Sequence, residues 1–535
     1  MNKVIFIGFL LGILGLAKLS AATSDDLLAS YHFVGTASLA GDPNAARLKR
    51  ISALPATIAL REDVVRKLAR ASVKILGGDA ANTNVAGLLV PIFNDLLTVE
   101  SAAEIHGKTN AAFFIAARVD AAHSRIWETN LLSVTKAVKP AAVKSGQTSG
   151  WQANLNGGRM LRFYREGNWT FVFAGGDQAE SQAGFMKRVT SGHPAGTSKS
   201  WLEADINWTQ LEMLWPHSVS PLKPARMEIK IQGRGGEDLR TTVRMIYAEK
   251  IDWKPAPWKI PTNVIRDPLI SFTAARNIAP FLKSSLAFQQ MKFNPLSQQV
   301  FFWALSQMPF QSYVAMPVND PTNTVKILGP QMMTAFNETL KKREGGRLEI
   351  STNKIDLVWK ELPPFVAPHI GPDATNRNLL LGGIFPLVPG TNQPPKELFQ
   401  QVSSRNEIVF YDWEITEVRL SQWQVLSQIF PFFPKELVAI PKDSPTKTLA
   451  PARVPERKWL TAIAPLLGNT ITEVSFKAPN ELNMVRKSHL GLNSVELIFL
   501  SHWLAHPDFP MINPFATVRS PSVSSGASAK PKRKP

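Results

Sequence analysis

Short stretches in which apolar and polar residues alternate recur along the chain, and several of them come in pairs. Four such pairs are GRMLRFYREGNWTFVFAGG, ARMEIKIQGRGGEDLRTTVRMIYA, GRLEISTNKIDLVWKEL and TEVSFKAPNELNMVRKS, which turn at 166–168, at 233–238, near 353 and near 480. Alternation on both sides of a turn rich in Gly or Asn is typical of half-buried antiparallel hairpins. The pattern therefore predicts a largely antiparallel sheet.

Five other segments run from a short apolar strand through an Asp or Asn into a helical pattern. The acidic and amide residues at these junctions are Asp120, Asp205, Asn207, Asn277, Asn319, Asp320, Asp412 and Glu414. Short polar side chains accept hydrogen bonds from the free N–H groups that begin a helix. The order strand, helix, hairpin occurs at least three times. We therefore predict an α+β fold of mostly antiparallel sheets with helices packed on one face, built as repeated strand–helix–hairpin modules in two related halves.

Proline-rich stretches and the two ends of the chain suggest its division. WKPAPWKIPTNVIRDP at 253–268 and PKDSPTKTLAPARVPE at 441–456 are predicted to be extended connections, because Pro cannot donate to a strand ladder. The predicted parts are a signal peptide at 1–22, an N-terminal α+β half at 23–252, the linker 253–268, a C-terminal α+β half at 269–515 that contains the connection 441–456, and a disordered Ser/Pro tail at 516–535.

The first 22 residues predict export. MNKVIFIGFLLGILGLAKLSAA has a basic start, an apolar run too short to span a bilayer, and a small-residue end. Cleavage is expected after Ala22, with Ala21 as the near alternative, and an uncleaved anchor is the other interpretation. The chain contains no Cys, which excludes thiol catalysis and Cys-based metal sites, and which suits a large bacterial periplasmic or extracellular protein. No transmembrane anchor is expected after cleavage.

The chain has a formal net charge of +18, and its body is still basic once the charges of the leader and tail are set aside. The tail adds Lys530, Lys532, Arg533 and Lys534 without any acid. Such a basic body and tail suit an anionic envelope component or a glycan, whereas a solvated tail with ordinary colloidal charge is the alternative. Nucleic acid is not the expected partner, because no basic recognition helix or aromatic RNA-binding motif is present.

Asp412 and Glu414, in the stretch EIVFYDWEITEVRLSQW, form the candidate acid/base pair. Two residues apart on a strand they share one face at roughly 7 Å, a separation found in inverting glycosidases. The alternative is architectural, because Glu203 and Asp205 repeat the spacing at what we expect to be an equivalent junction.

His502 and His506 are the candidate metal ligands. They lie four residues apart on one predicted helical face, with Asp508 nearby. The alternative is a helix that ends with His residues near its C-terminus before Pro507. The sequence suggests no cofactor.

The chain has 14 Trp residues, and seven of them concentrate between 151 and 258. Tryptophan fills cores and also stacks on sugar rings. Core packing is the expected role for most of them, and any Trp that lines an open groove would indicate glycan contact.

Four segments, YHFVGTASLAG, ISALPATIALREDVVRKLARA, EIVFYDWEITEVRLSQW and MVRKSHLGLNSVELIFLSHWL, resemble large exported proteins of planctomycete and verrucomicrobial bacteria. The resemblance covers most of residues 31–504. Because those families have no established activity, it implies an exported location and carries over no functional residues.

Together these patterns predict an exported binding or scaffolding protein, without enzymatic activity, whose basic surface meets an anionic or glycan partner. Two alternatives stay open. One is a secreted polysaccharide hydrolase that uses Asp412 and Glu414, and the other is a carrier that holds an apolar ligand between helix layer and sheet.

Overall fold

The architecture comes from a computed structural model of the chain. It describes residues 27–76, 83–107, 111–135, 141–145, 148–155, 159–176, 178–192, 200–210, 224–235, 238–251, 256–278, 297–306, 311–341, 347–351, 355–360, 368–385, 392–429, 454–507 and 509–510. The predicted signal peptide and basic tail therefore lie outside the described residues.

A single antiparallel sheet of 20 strands forms the body. The strands are β1 Leu27–Phe33, β2 Ser101–His106, β3 Ala112–Arg118, β4 Ala141–Ser145, β5 Thr148–Leu155, β6 Arg159–Glu166, β7 Trp169–Gly175, β8 Leu202–Asn207, β9 Arg226–Arg234, β10 Asp238–Ile246, β11 Leu269–Arg276, β12 Gln299–Leu305, β13 Ser312–Pro317, β14 Arg347–Ile350, β15 Leu357–Lys360, β16 His369–Pro372, β17 Leu379–Gly383, β18 Ile408–Ile415, β19 Asn469–Ala478 and β20 Glu481–Ser488.

The helices connect these strands. They are α1 Thr36–Ala40, α2 Ala46–Ala53, α3 Pro55–Ile75, α4 Thr83–Thr98, α5 Ala121–Val134, α6 Ala179–Thr190, α7 Pro321–Lys341, α8 Lys396–Ser403, α9 Thr416–Ile429, α10 Val454–Ile463 and α11 Ser494–Ala505, with short 3-10 turns at Pro43–Ala45 and Ala464–Leu466. No helix in the described ranges is long and apolar enough to cross a membrane.

Neighbouring strands in space follow the order β4-β5-β6-β7-β3-β2-β1-β8-β9-β10 and continue as β20-β19-β18-β11-β12-β13-β17-β16-β15-β14. The α+β class with a mostly antiparallel sheet is thus confirmed. Ten strands precede the Pro-rich stretch 253–268 and ten follow it. The pair β10–β20 joins the two sets at the centre of the sheet.

The four hairpins predicted from alternation are present as β6–β7, β9–β10, β14–β15 and β19–β20. The predicted helix starts are only partly correct. Asp120 and Asp320 accept hydrogen bonds from backbone N–H groups three residues ahead, at 2.8 and 2.9 Å, as helix caps do. Asp205 lies inside β8, and Asn207 rather than Asp205 accepts the N–H of Gln210 at 3.2 Å. The helical pattern after Asn277 falls outside the described residues.

Helices cover both faces of the sheet, contrary to the prediction of a single covered face. We call face A the side on which α3, α4 and α5 pack, and α10 and α11 contribute residues to the same core. Face B carries α6, whose Phe185 and Val189 pack on Phe114 and Phe173, and α8, whose Phe399 packs on an equivalent aromatic layer. An amphipathic helix has an apolar side to bury, but its sequence does not encode which face of a sheet receives it.

Between α6 and α8, the centre of face B is open to solvent. On β9, β10 and β20 the face A side chains of Ile231, Val243 and Leu482 are buried, whereas Lys230 and Lys487 on face B are exposed. Alternate residues of a strand point to opposite faces. The central strands therefore form a floor, with one helix at each side, which we call the platform.

Candidate functional site

Asp412 and Glu414 lie on face A of β18, under the first turn of α11. Both are buried, with exposed fractions of 9% and 4%. The Glu414 carboxylate accepts hydrogen bonds from the backbone N–H and the hydroxyl of Ser494, both at 2.7 Å, and Asp412 accepts one from the hydroxyl of Thr273 at 2.6 Å. The first N–H groups of a helix lack partners within the helix and attract negative charge. The two carboxylates therefore hold α11 against the sheet.

Burial is the largest influence on both carboxyl groups and raises the pKa of each above its ordinary value. Hydrogen bonds from Thr273 and Ser494 act in the opposite direction. An inverting pair flanks its substrate from two sides and leaves room for water. Asp412 and Glu414 instead face the same helix, so their geometry favours a structural role, and catalysis by them stays a prediction.

Glu203 and Asp205 are not equivalent to that pair, contrary to expectation. Directly opposed residues trace one face across six strands, in the order Leu202, Ile231, Thr241, Arg486, Thr472 and Asp412. Leu202 is therefore on face A with Asp412, and its neighbour Glu203 is on face B. There Glu203 lies 3.8 Å from the Lys230 amine, and Asp205 pairs with Arg226. The shared spacing reflects strand alternation, not a shared position.

Among the described residues, the predicted metal ligands do not form a metal-binding cluster. His502 lies on α11, where burial and the charge of Arg457 lower its pKa, and His506 caps the C-terminus of that helix. Asp508 lies outside the described residues. No group of three or more His, Asp or Glu side chains in the described part of the chain could hold a metal. The tail residues Lys530, Lys532, Arg533 and Lys534 also lie outside it.

Six of the twelve described tryptophans are buried, and Trp413 lies at the edge of the platform, where it also packs against the face B core. The exposed fraction is no more than 2% for Trp127, Trp303 and Trp459. Trp413, by contrast, is partly exposed on face B of β18, next to α8. Trp413 lies between Asp412 and Glu414 in the sequence, and its side chain is on the opposite side of the strand.

A row of four residues crosses the platform from Trp413. Ile471, Lys487 and Arg240 lie directly opposite one another on β19, β20 and β10, beginning beside Trp413. Strand spacing places Trp413 about 10 Å from Lys487, and Lys487 about 5 Å from Arg240, at the backbone. Like charges directly opposite on neighbouring strands are destabilising. Neither cation has an ion pair or side-chain hydrogen bond with another residue in the described ranges. This row is a charge arrangement that folding alone does not favour.

Two adjoining grooves lie where the row meets α8. The first, of about 610 Å³, is lined by Trp413, Ile471 and Gln401 with Asp267 and Glu397 at its edge. The second, of about 400 Å³, shares Gln401 and Ile471 and extends to Lys487. The side chain of Gln401 is exposed, and its oxygen accepts the Tyr411 hydroxyl at 2.8 Å. The two grooves therefore combine apolar side chains with polar ones.

The end of the platform beside α6 has a different charge arrangement. A groove of about 330 Å³ is lined there by charged side chains from β8, β9 and α6. These charges are matched: Arg188 lies 2.7 Å from Glu104, and Arg226 pairs with Asp205. Toward α8, Arg405 is likewise paired with Glu473 at 2.7 Å, whereas Lys487 and Arg240 have no such partner among the described residues.

Sequence reasoning missed Lys487 and Arg240. Each is one basic residue among several in an alternating strand, and the pairing that brings them together joins segments more than 200 residues apart. Trp413 is next to Asp412 in a strand, so its side chain points to the opposite face of the sheet. That alternation was the signal in the sequence for a second face.

No protein-family model, curated protein or solved structure matches this chain. Function must therefore be argued from the residues themselves.

Proposed function

We propose that the chain is a binding protein for an acidic polysaccharide, which lies across the platform from the α8 grooves toward Arg240. One observation carries the proposal, namely the row Trp413, Ile471, Lys487 and Arg240. An aromatic face packs against the apolar face of a sugar ring, and two neighbouring cations attract a carboxylate, sulfate or phosphate group on a following unit.

The surrounding groups favour a sugar over a nucleic acid. Carboxylates of Asp267, Glu397 and Glu473 lie along the same grooves. They can accept hydrogen bonds from the hydroxyl groups that every unit of a polysaccharide carries. A polysaccharide, which offers several hydroxyl groups beside each acidic group, therefore fits this mixture of charges better than RNA or DNA does.

The proposal includes export. The apolar leader at 1–22 would carry the protein to the envelope or exterior, where acidic polysaccharides occur, and the basic tail at 516–535 would add long-range attraction. Neither segment is needed for the contacts on the platform.

Calorimetric titration with oligogalacturonate, and with a malto-oligosaccharide of equal length as the neutral counterpart, tests the proposal. We expect binding of the acidic oligomer that weakens as salt rises, because exposed charges are screened. Lys487→Gln and Arg240→Gln should each weaken binding by about 10- to 150-fold, since a hydrogen bond to a charged group contributes about 1.5–3 kcal/mol. Trp413→Leu should weaken the binding of both charged and neutral sugars.

Arg125→Gln is the matched control, because Arg125 is an exposed cation on α5, a helix of face A. It should bind like wild type. Lys487→Gln should also unfold at no lower urea concentration than wild type, because it relieves repulsion of about 0.2–1 kcal/mol. If Arg125→Gln weakens binding as much as Lys487→Gln does, the effect comes from net charge and not from the platform. If single-stranded nucleic acid binds more tightly than oligogalacturonate, then nucleic acid and not an acidic polysaccharide is the preferred partner.

We also infer that the two halves arose by duplication. Each set of ten strands follows one pairing order, in which β4 corresponds to β14, β1 to β11 and β10 to β20, and α6 and α8 take the same place on face B. An experimental structure in which residues 27–246 superpose on 269–488 strand for strand would agree with this, and a mismatch in strand order would oppose it.

A further inference from the structure

A cavity of about 130 Å³ lies on face A, between the helices and the sheet of the N-terminal half. It is bounded by α3, α4 and α5 above and by β1, β2, β3, β6 and β7 below, and it is partly open. The lining is almost wholly apolar and includes Phe93, Leu96, Ile115 and Leu131. This space is separated by the sheet from the platform and shares no role with it.

The cavity is unusual for a core of this composition. Protein interiors pack as densely as organic crystals, and voids larger than a water molecule are few. The floor beneath the helices consists partly of small side chains, Ala103 and Ala174, although strands of this sheet place Phe and Trp at comparable buried positions. An apolar cavity of this size stays dry and accepts small hydrocarbons.

Apart from Glu104, whose carboxylate is bonded to His106 and Arg188, the polar side chains of the lining are a few hydroxyls. Ser72 of α3 is 9% exposed, and its hydroxyl makes no hydrogen bond within the described part of the chain. Tyr31 and Ser101 add hydroxyl groups from β1 and β2. A buried hydroxyl without a partner costs free energy that a ligand with one polar atom would recover.

We propose that this cavity is a second binding site, which takes a compact uncharged molecule of about benzene size with at most one hydroxyl or carbonyl group. A charged ligand is excluded because the lining is almost wholly apolar and its charged side chain, Glu104, is already paired with Arg188. The site is independent of polysaccharide binding, so either proposal can fail without the other.

Thermal unfolding with and without benzene or phenol, together with ¹²⁹Xe NMR of the wild-type protein, tests the site. Ligands that bind only the folded state raise the midpoint in proportion to the logarithm of their concentration. We expect both probes to raise the midpoint, phenol more than benzene, and the xenon line to shift on titration. Ala103→Leu should fill the space, abolish both effects and raise the midpoint without ligand.

Ala315→Leu is the matched control, because Ala315 is fully buried in the face B core beneath α8. This variant should lower the midpoint by overpacking and leave the response to benzene intact. If Ala103→Leu does not fold, xenon binding to wild type still decides the question. No xenon shift and no change of midpoint with benzene would overturn the proposal, as would an unchanged benzene response in folded Ala103→Leu.

Discussion

Removing the carboxylate of Glu414 should release α11 from the sheet. Glu414→Ala leaves two buried donors of Ser494, each now bonded at 2.7 Å, without an acceptor. An unpaired buried donor costs about 1–3 kcal/mol, so the two together cost about 2–6 kcal/mol. Losing a buried charge offsets part of this. We expect the free energy of unfolding to fall by about 2–4 kcal/mol, as measured by urea denaturation.

A conservative variant and a surface control sharpen the result. Glu414→Gln keeps the shape and one acceptor oxygen, so it should cost less than Glu414→Ala. Glu62→Ala, at an exposed position of α3, should change stability by less than about 0.5 kcal/mol. Amide exchange in residues 494–505 should accelerate in Glu414→Ala more than in β6 and β7. If Glu414→Ala matches Glu62→Ala in stability and exchange, the carboxylate does not hold the helix.

Three further outcomes follow from buried groups. Because the raised pKa of Glu414 makes the folded state retain a proton, its contribution is full below its ordinary value of 4.5 and is lost as pH rises through the folded value. The cost of Glu414→Gln should therefore shrink between pH 4 and pH 7, and a constant cost in urea titrations would contradict the shift. Asp95→Ala should lose about 2–3 kcal/mol in the same assay, because Asp95 accepts from Trp127 at 2.8 Å and from His123 at 2.9 Å between α4 and α5. Gly175→Ala should lower stability by at least about 2 kcal/mol, because φ is +130° there and a Cβ would lie 2.5 Å from the neighbouring backbone, whereas wild-type stability would disprove that conflict.

Local structure was predictable wherever short-range chemistry decides it. The β6–β7 turn needs a residue with positive φ, and Gly167 in the sequence REGNW adopts a φ of +58° there. Asp120 and Asp320 begin helices because their carboxylates accept the nearby N–H groups. Asp205 has the same flanking pattern, yet it lies within β8, opposite Ser30 of β1 and Glu228 of β9, and its carboxylate accepts from Arg226.

Long-range structure was beyond the sequence pattern. Arg244 and Glu481 form an ion pair at 2.7 Å across β10 and β20 although they are 237 positions apart. Alternation shows which residues share a face of a strand, but it does not show which face packs against a helix. For that reason the sequence leaves open whether Asp412 and Glu414 are an acid/base pair or part of the architecture, whereas in the structure they lie under α11 and Trp413 between them is on face B.

The central claim is that an acidic sugar lies on the row from Trp413 to Arg240. A crystal structure of the protein with oligogalacturonate tests it most directly. The account predicts one sugar ring against the Trp413 indole and a uronate carboxylate between the Lys487 amine and the Arg240 guanidinium. An oligomer bound elsewhere, with both cations and the indole free of it, would contradict the account.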